Sequence, residues 1–369
     1  MINQRSVSLV AARARLTRYL IVPLAGFALV ATASPASAHD SRLVVGPGES
    51  IQAAVDAAHS GDTIVVRPGT YRQNVVVAKD GIRLFGFGAQ MVSPAAPESN
   101  FCSDPGQPAA IGICVAGKFD MNTGEVIRPV EDVTVEGFTL RDYPDAGVLA
   151  FGAKDATFQH NTALNDDEYG ITAFVSSGTR MLHNRADGAN EAGFYIGDSP
   201  KADATLVGNV ATDSRFGILW RNAEGGTAAR NLVSGNCVGI MVLSGIEGLE
   251  GLAGRLTMRH NHVFGNTRAC EESDEGPAIS GVGIALVGAH DSRVTHNRVT
   301  GNVPTGPTAF SGGVAVVTDF LGTAPNNNRV VGNVLRRNHP DLFWDGSGSG
   351  NKFLRNRCRT SDPAGLCAH

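Results

Sequence analysis

Apolar and polar positions alternate in short runs along most of the chain, and these runs recur at a regular interval. Each recurring unit contains a glycine followed by an apolar strand, as in "AGVLAFG" and "YGITAFV". The first five such glycines are Gly147, Gly170, Gly193, Gly217 and Gly239, at intervals of 23, 23, 24 and 22 residues. Alternation with a period of two predicts a β-strand, and its regular repetition predicts a solenoid of short strands.

A second landmark in each unit is an asparagine that follows another short strand. The series is Asn161, Asn184, Asn209, Asn231, Asn261, Asn297, Asn333 and Asn356. The units have several strands and no intervening helix, and they lack the leucine-rich consensus. The predicted fold is therefore all-β, a single-stranded right-handed parallel β-helix. We expect the asparagines to stack inward as a structural ladder at one turn.

The segment "GPGESIQAAVDAAHSGDTIVVRPGTYRQNVVV" (46–77) resembles the start of pectin-lyase-like β-helix proteins, which include secreted carbohydrate-active enzymes and NosD-type periplasmic proteins. Within it, Ile51, Ala54, Val55 and Ala58 share one face of a short helix, and Ser50 fits its N-cap. Such a helix would cover the open end of the core. The resemblance implies the fold for nearly the whole mature chain, but this fold supports many activities.

Residues 1–38 have the pattern of a secretory signal. Four arginines precede or border the apolar run "YLIVPLAGFALVATA", and "ASA" at 36–38 predicts cleavage after Ala38. Residues 39–369 would then form one β-helix domain. No other stretch is long and apolar enough to cross a bilayer. We expect a secreted protein with no membrane partner.

Charge and cysteine content narrow the class further. Removing the four signal arginines lowers Lys+Arg from 31 to 27 against 35 Asp+Glu, so the mature net charge is −8. This balance argues against nucleic acid as a partner. Six cysteines fit an oxidising compartment, although six allow about fifteen pairings. Proximity favours Cys102–Cys114, Cys237–Cys270 and Cys358–Cys367.

Strict alternation around each leading glycine predicts which side chains face outward. It places the preceding residue, such as Tyr169, on the core face. On the outward face it places Asp145, Glu168, Glu191 and Arg215 at one edge, then Phe151, Phe174, Tyr195 and Arg221. Three carboxylates at one-unit spacing repel each other. A cation, the arginine or a raised pKa would relieve this repulsion, or water would screen it.

These residues suggest an enzyme that acts on polysaccharide. Candidate catalytic residues are Glu168, Glu191, Asp166, Arg215 and Arg221, and Phe151, Phe174 and Tyr195 are candidates for stacking on sugars. Hydrolysis would use two of the acids. A lyase resembling pectate lyase would hold Ca²⁺ through Asp145, Glu168 and Glu191, and an arginine would assist proton abstraction. The full motif of neither family is present.

Two other functions stay open. A non-catalytic binding or scaffold protein would use the insertions at 265–281, 304–310 and 319–328, since such loops often bind. A NosD-like metal-handling protein would use the histidines beside the asparagines, such as His160 and His183. The favoured expectation is a secreted carbohydrate-active β-helix protein, a lyase or hydrolase with acidic polysaccharide as its partner. Whether it is an enzyme, and its oligomeric state, are not determined by the sequence.

Overall fold

The computed structural model describes residues 41–96, 111–120, 125–245, 253–273 and 276–367. The expected signal sequence and Cys102 lie outside these residues. The described part contains one helix, α1 (Ile51–Ala57), and otherwise short strands. Within the described residues, no helix has the length and apolar character needed to span a membrane.

The strands are short and follow one another closely along the chain. The first half comprises β1 Arg42–Val45, β2 Thr63–Val66, β3 Gly69–Tyr71, β4 Val75–Val77, β5 Arg83–Phe85, β6 Ala89–Val92, β7 Ile113–Ala116, β8 Lys118–Phe119, β9 Val126–Arg128, β10 Val130–Glu131, β11 Thr134–Glu136, β12 Thr139–Arg141, β13 Ala146–Phe151, β14 Ala153–Lys154, β15 Thr157–Gln159, β16 Thr162–Leu164, β17 Tyr169–Phe174, β18 Arg180–Leu182 and β19 Arg185–Asp187. The second half comprises β20 Ala192–Ser199, β21 Ala204–Val207, β22 Val210–Thr212, β23 Phe216–Ala229, β24 Leu232–Ser234, β25 Val238–Leu243, β26 Gly254–Arg259, β27 His262–Phe264, β28 Ala269–Cys270, β29 Ile279–Ser280, β30 Val282–Val287, β31 Arg293–Thr295, β32 Arg298–Thr300, β33 Gly312–Val317, β34 Arg329–Val331, β35 Val334–Arg336, β36 Leu342–Trp344, β37 Lys352–Leu354 and β38 Ser361–Asp362.

These strands wind into a right-handed parallel β-helix with three long sheets, which confirms the predicted fold class. The first sheet runs from β1 and β2 to β34 and β37, the second from β3 and β6 to β32 and β35, and the third from β4 and β7 to β36 and β38. Strand β23 continues from the third sheet into the first. Each coil contacts its neighbours in register, with strands about 4.8 Å apart.

From β15 onward, the corner between the first and second sheets consists of two residues. The second is an asparagine of the predicted ladder, and its Oδ1 accepts from the backbone N–H of the ladder asparagine one coil earlier, for example Asn184 to Asn161 at 2.9 Å. Its Nδ2 donates to the next amide and to a backbone carbonyl, as Asn231 does to Asn261 and Leu206. The ladder is buried and continues to Asn356, so the structural assignment is confirmed.

The glycine that leads each strand of the third sheet breaks the expected alternation. A Cβ on Gly147 would lie 3.2 Å from the Cβ of Ala163, so the glycine faces inward, and the following Val148 also belongs to the inner core. The preceding Ala146 instead packs with Leu149 in a second cluster on the outward side. The preceding residues are buried, as predicted, but Ala146 and Tyr169 pack in this second cluster and not in the inner core that alternation indicated.

The ends and insertions are fixed by local contacts. Ser50 caps α1 by accepting from the N–H of Ala53 at 3.1 Å, as predicted. The disulfides Cys237–Cys270 and Cys358–Cys367 form as predicted. Cys114 is disulfide-bonded too, but its expected partner lies outside the described residues.

Candidate functional site

Three carboxylates form a column at the corner between the second and third sheets. Asp145, Glu168 and Glu191 each lie immediately before a strand of the third sheet. The N–H of Glu168 donates to the carbonyl of Asp145 at 3.0 Å, and the N–H of Glu191 donates to that of Glu168 at 3.0 Å. Neighbouring members are therefore one coil apart, about 4.8 Å along the axis. We call these three residues the carboxylate column.

The three members have different environments. Glu168 is exposed, Asp145 is half-buried and Glu191 has only 5% of its surface exposed. Burial raises the pKa of Asp145 from 3.8 to about 6. A carboxyl group with that pKa is partly protonated near neutral pH, which suits a general acid. Glu168, which is exposed and one coil away, supplies a solvated carboxyl group that a substrate could reach.

Tyr169 belongs to this site, although strict alternation placed it in the core. It lies beside Glu191 of the next coil. Burial, with the nearby charge of Glu191 as the next cause, raises the pKa of Tyr169 far above its usual value. The phenol therefore stays neutral. The one sequence signal for the outward direction of Tyr169 is the glycine that follows it, because Gly170 faces inward.

The aromatic side chains divide into two groups. The rings of Tyr169, Phe174 and Tyr195 lie together, with centroid separations of 4.9 Å for the two tyrosines and 4.7 Å for Phe174 and Tyr195. Tyr195 is only 2% exposed and its ring lies over Gly197, where a Cβ would come within 2.2 Å of it. Phe151 contacts Phe119 instead, at 4.7 Å. The half-buried Phe151 and Phe174 remain available to a sugar, whereas Tyr195 is not.

Asp166 points away from this face and is 1% exposed. Its Oδ1 accepts from the N–H of Tyr143 at 3.0 Å, and its Oδ2 has no hydrogen-bond partner among the described residues. Burial holds the pKa of Asp166 well above 3.8. In later coils the same corner position is taken by a second amide ladder, in which Asn236 accepts from Ser214 and Asn266 from Asn236. Asp166 is therefore an interior counterpart of these asparagines.

Arg215 holds the next position after Glu191 in the same line, one coil further, but its guanidinium is bound by an insertion. Its guanidinium donates to the carbonyls of Glu271, Gly276 and Pro277 at 2.9, 3.2 and 3.0 Å, and it is 8% exposed. The Cys237–Cys270 disulfide fixes the same insertion against the next coil. The insertion therefore covers this part of the third sheet, which the sequence predicted to be an open surface.

Arg221 lies within β23, six residues after Arg215, and it is half-buried and close to Asp198. Burial raises the pKa of Asp198, while the hydrogen bond from Asn222 and the charge of Arg221 oppose that rise. The structure thus keeps Arg215 one coil beyond Glu191 and places Arg221 further along the chain, within β23.

The structure gives no support to a metal site at the carboxylate column. Across the described ranges, no group of three or more His, Cys, Asp or Glu side chains is arranged to hold a metal ion. The histidines beside the asparagine ladder are exposed and stack in pairs, with centroids 5.5 Å apart for His160 and His183 and 5.6 Å for His260 and His296. Each pair comes from adjacent coils, as predicted, but among the described residues no third metal ligand accompanies it.

Comparison with solved structures shows that the fold is shared with several proteins. The periplasmic alginate epimerase AlgG has a TM-score of 0.59 at 16% identity, covering 87% of this chain and 73% of AlgG. The A-module of the mannuronan C-5 epimerase AlgE4 of Azotobacter vinelandii has a TM-score of 0.52 at 16% identity, covering 84% of this chain and 92% of that module. The Dettilon tailspike protein has a TM-score of 0.50 at 12% identity, covering 86% and 68%. The TM-scores show a shared fold, and at these low identities the similarity extends to the fold alone.

Sequence comparison gives the family directly. No curated protein matches the chain. The family described as the right handed beta helix region matches residues 112–231 and again residues 146–335. Together these matches span more than half of the chain and include the whole carboxylate column. By sequence and by architecture, the chain belongs to the right-handed beta helix family.

Proposed function

We propose that this protein is an exported carbohydrate-active β-helix protein that acts on polysaccharide, and that it hydrolyses a glycosidic bond. The fold supports the first part, because similar structures include enzymes named for alginate and mannuronan. Disulfides in the described part fit export to an oxidising compartment. An acidic polysaccharide is the proposed substrate class.

The observation that carries the reaction is the pairing of Asp145 with Glu168 in the carboxylate column. Glycosidases use two carboxyl groups, of which one is protonated to donate to the leaving oxygen. The pKa of Asp145, about 6, gives it the acid role, and the exposed Glu168 is the second carboxyl group. The backbones of the two residues are one coil apart, about 4.8 Å, a spacing compatible with the carboxyl separation of about 5–5.5 Å that is typical of retaining enzymes.

Glu191 extends the same arrangement by one more coil. It lies two coils from Asp145, about 9.6 Å along the axis, near the upper limit for an inverting pair. Tyr169 lies beside it. As a further carboxyl group of the same column, Glu191 is the candidate base of an inverting reaction. Phe174 lies beside this group and offers a ring to the sugar.

Lyase chemistry is less well supported by the same residues. The lyase hypothesis used Arg215 or Arg221 to assist proton abstraction. Arg215 donates to three carbonyls of the insertion, and Arg221 is close to Asp198. Both guanidinium groups have these other partners, so we favour hydrolysis.

The test is a panel of acidic and neutral polysaccharides incubated with the purified protein. We expect new reducing ends without the ultraviolet absorbance of unsaturated uronates. Absorbance gain would identify a lyase and overturn the hydrolase proposal. If no glycan in the panel is cleaved but one is bound, a non-catalytic binding protein replaces the enzyme.

A further inference from the structure

A second surface, distant from the carboxylate column, carries only positive charge. It comprises segments 254–264, 293–300, 329–337 and 352–357, which form the corner between the first and second sheets in four successive coils. These segments contain ten arginines and lysines and no aspartate or glutamate, although the whole chain has a net charge of −4. We call this surface the basic face.

The charges of the basic face are aligned by the strand register. Arg293 lies opposite Arg329, and Arg329 lies opposite Lys352, all three on the outward side of the first sheet. Strands about 4.8 Å apart place these three residues in a line of about 10 Å parallel to the helix axis. Across the corner, Arg298 and Arg357 point outward from the second sheet and its continuation. The face is therefore a ribbon of charge with a regular spacing.

Within the described residues these cations have almost no neutralising partners. Arg255, which pairs with Glu224, is the one member of the ten that forms an ion pair with a described residue. Like charges opposite each other on adjacent strands are destabilising. A ligand that brings a negative charge to each coil would remove that repulsion. A linear polyanion that lies parallel to the axis brings a negative charge to every coil of the face.

The column that contains Arg293, Arg329 and Lys352 continues along the first sheet beyond the basic face, and its side chains are chemically similar. On all twelve strands of the first sheet this column contains only arginine, lysine and threonine, from Arg42 and Thr63 to Arg329 and Lys352. Threonine hydroxyls donate hydrogen bonds to anionic oxygens and accept them from sugar hydroxyls. The column thus combines charge with hydroxyl groups over the length of the helix.

We propose that the basic face binds a linear acidic polysaccharide along the helix axis, separately from the carboxylate column. The choice of a polysaccharide rests on the proposed function. It is also favoured over single-stranded nucleic acid, which is held mainly by stacking on aromatic rings. Phe264 is the one outward Phe, Tyr or Trp side chain on the described segments of the face, beside the imidazole rings of His260, His262 and His296. Double-stranded DNA is a separate outcome of the test.

The experiment measures binding of the full chain to polygalacturonate, with dextran and double-stranded DNA as comparison ligands. The test variant is R293Q/R329Q/K352Q. The matched control, R141Q/K154Q/R185Q, removes the same charge from exposed residues that pair with acids. We expect salt-sensitive binding of polygalacturonate that weakens about tenfold in the test variant and less than about twofold in the control. The single variant R329E should weaken binding in the same direction.

Three outcomes overturn the proposal: equal binding by the test variant and wild type, equal affinity for dextran, or tighter binding of DNA than of polygalacturonate. The variant E168Q/E191Q separates this proposal from the proposed function. It should retain binding while losing cleavage. If wild type binds polygalacturonate but cleaves no glycan of the panel, the hydrolase assignment is wrong and the basic face remains as a binding site.

Discussion

Tyr169 lies beside Glu191 of the next coil, and after burial the charge of Glu191 is the main cause of the raised pKa of the phenol. Glu191 itself is almost fully buried, with 5% of its surface exposed. A neutral phenol therefore lines the buried end of the carboxylate column.

Replacing Tyr169 by phenylalanine should lower kcat for polysaccharide cleavage and shift its pH–rate profile, because the change removes a hydroxyl group that lies beside Glu191. The control is Tyr143→Phe, which also removes the hydroxyl group of a buried tyrosine, one that donates to the carbonyl of Gln73 at 2.7 Å. An equal shift in both variants would argue against a specific role for Tyr169.

Glu168→Gln and Glu191→Gln should each lower kcat for cleavage by about 10²–10⁴-fold, the usual contribution of a general acid or base. Folding should be preserved, since the amide has nearly the same shape. Glu136→Gln on the first sheet is the matched control and should retain full activity. Normal turnover by both column variants would exclude the column as the catalytic site.

The pKa of Asp145 predicts a specific pH dependence of stability. Since its folded pKa of about 6 exceeds the ordinary aspartate value of 3.8, the folded protein holds this proton more tightly than the unfolded chain. The resulting stabilisation is complete below pH 3.8 and is lost as the pH rises through 6. Asp145→Asn should remove this dependence and be more stable than wild type at pH 8 by about 1–2 kcal/mol.

Urea denaturation at several pH values measures this difference. The stability of wild type relative to Asp145→Asn should fall between pH 4 and 6 and then remain constant. A difference that does not change across this interval would show that the carboxyl group titrates normally.

Asn231→Ala should destabilise the middle of the asparagine ladder. Its Oδ1 accepts from the backbone and side chain of Asn209 at 2.9 and 3.1 Å, and its Nδ2 donates to Leu206 and Asn261. Leaving these buried groups without partners should lower the free energy of unfolding by about 2–4 kcal/mol. Thermal and urea denaturation, with the exposed Asn190→Ala as control, would check this. A loss no larger than the control's would contradict the ladder's role.

The fold could be predicted because it is encoded locally and repeatedly. The spacing of Gly147, Gly170 and Gly193 gave the coil length, and the asparagines marked one corner in every coil. Pairing of Cys237 with Cys270 followed from their proximity in sequence. Each of these signals depends on residue type and spacing alone.

The site was predicted less completely, because it depends on orientation and on long-range coverage. Alternation failed at Tyr169, since a glycine without a side chain lets two successive residues face inward. The carbonyls that bind Arg215 come from residues more than fifty positions later in the chain. Nor could sequence show that Asp166 occupies an amide position in the interior. These are properties of the assembled coils.

The asparagine corner has consequences for how the chain can change in length. It contains two residues in every coil from Asn161 to Asn356, while the insertions before β26, β30 and β33 enter at the other two corners. An added residue at the asparagine corner would displace one amide and interrupt hydrogen bonds on both sides. The other corners can lengthen independently, so new loops can be added there without altering the spacing of the opposite edge.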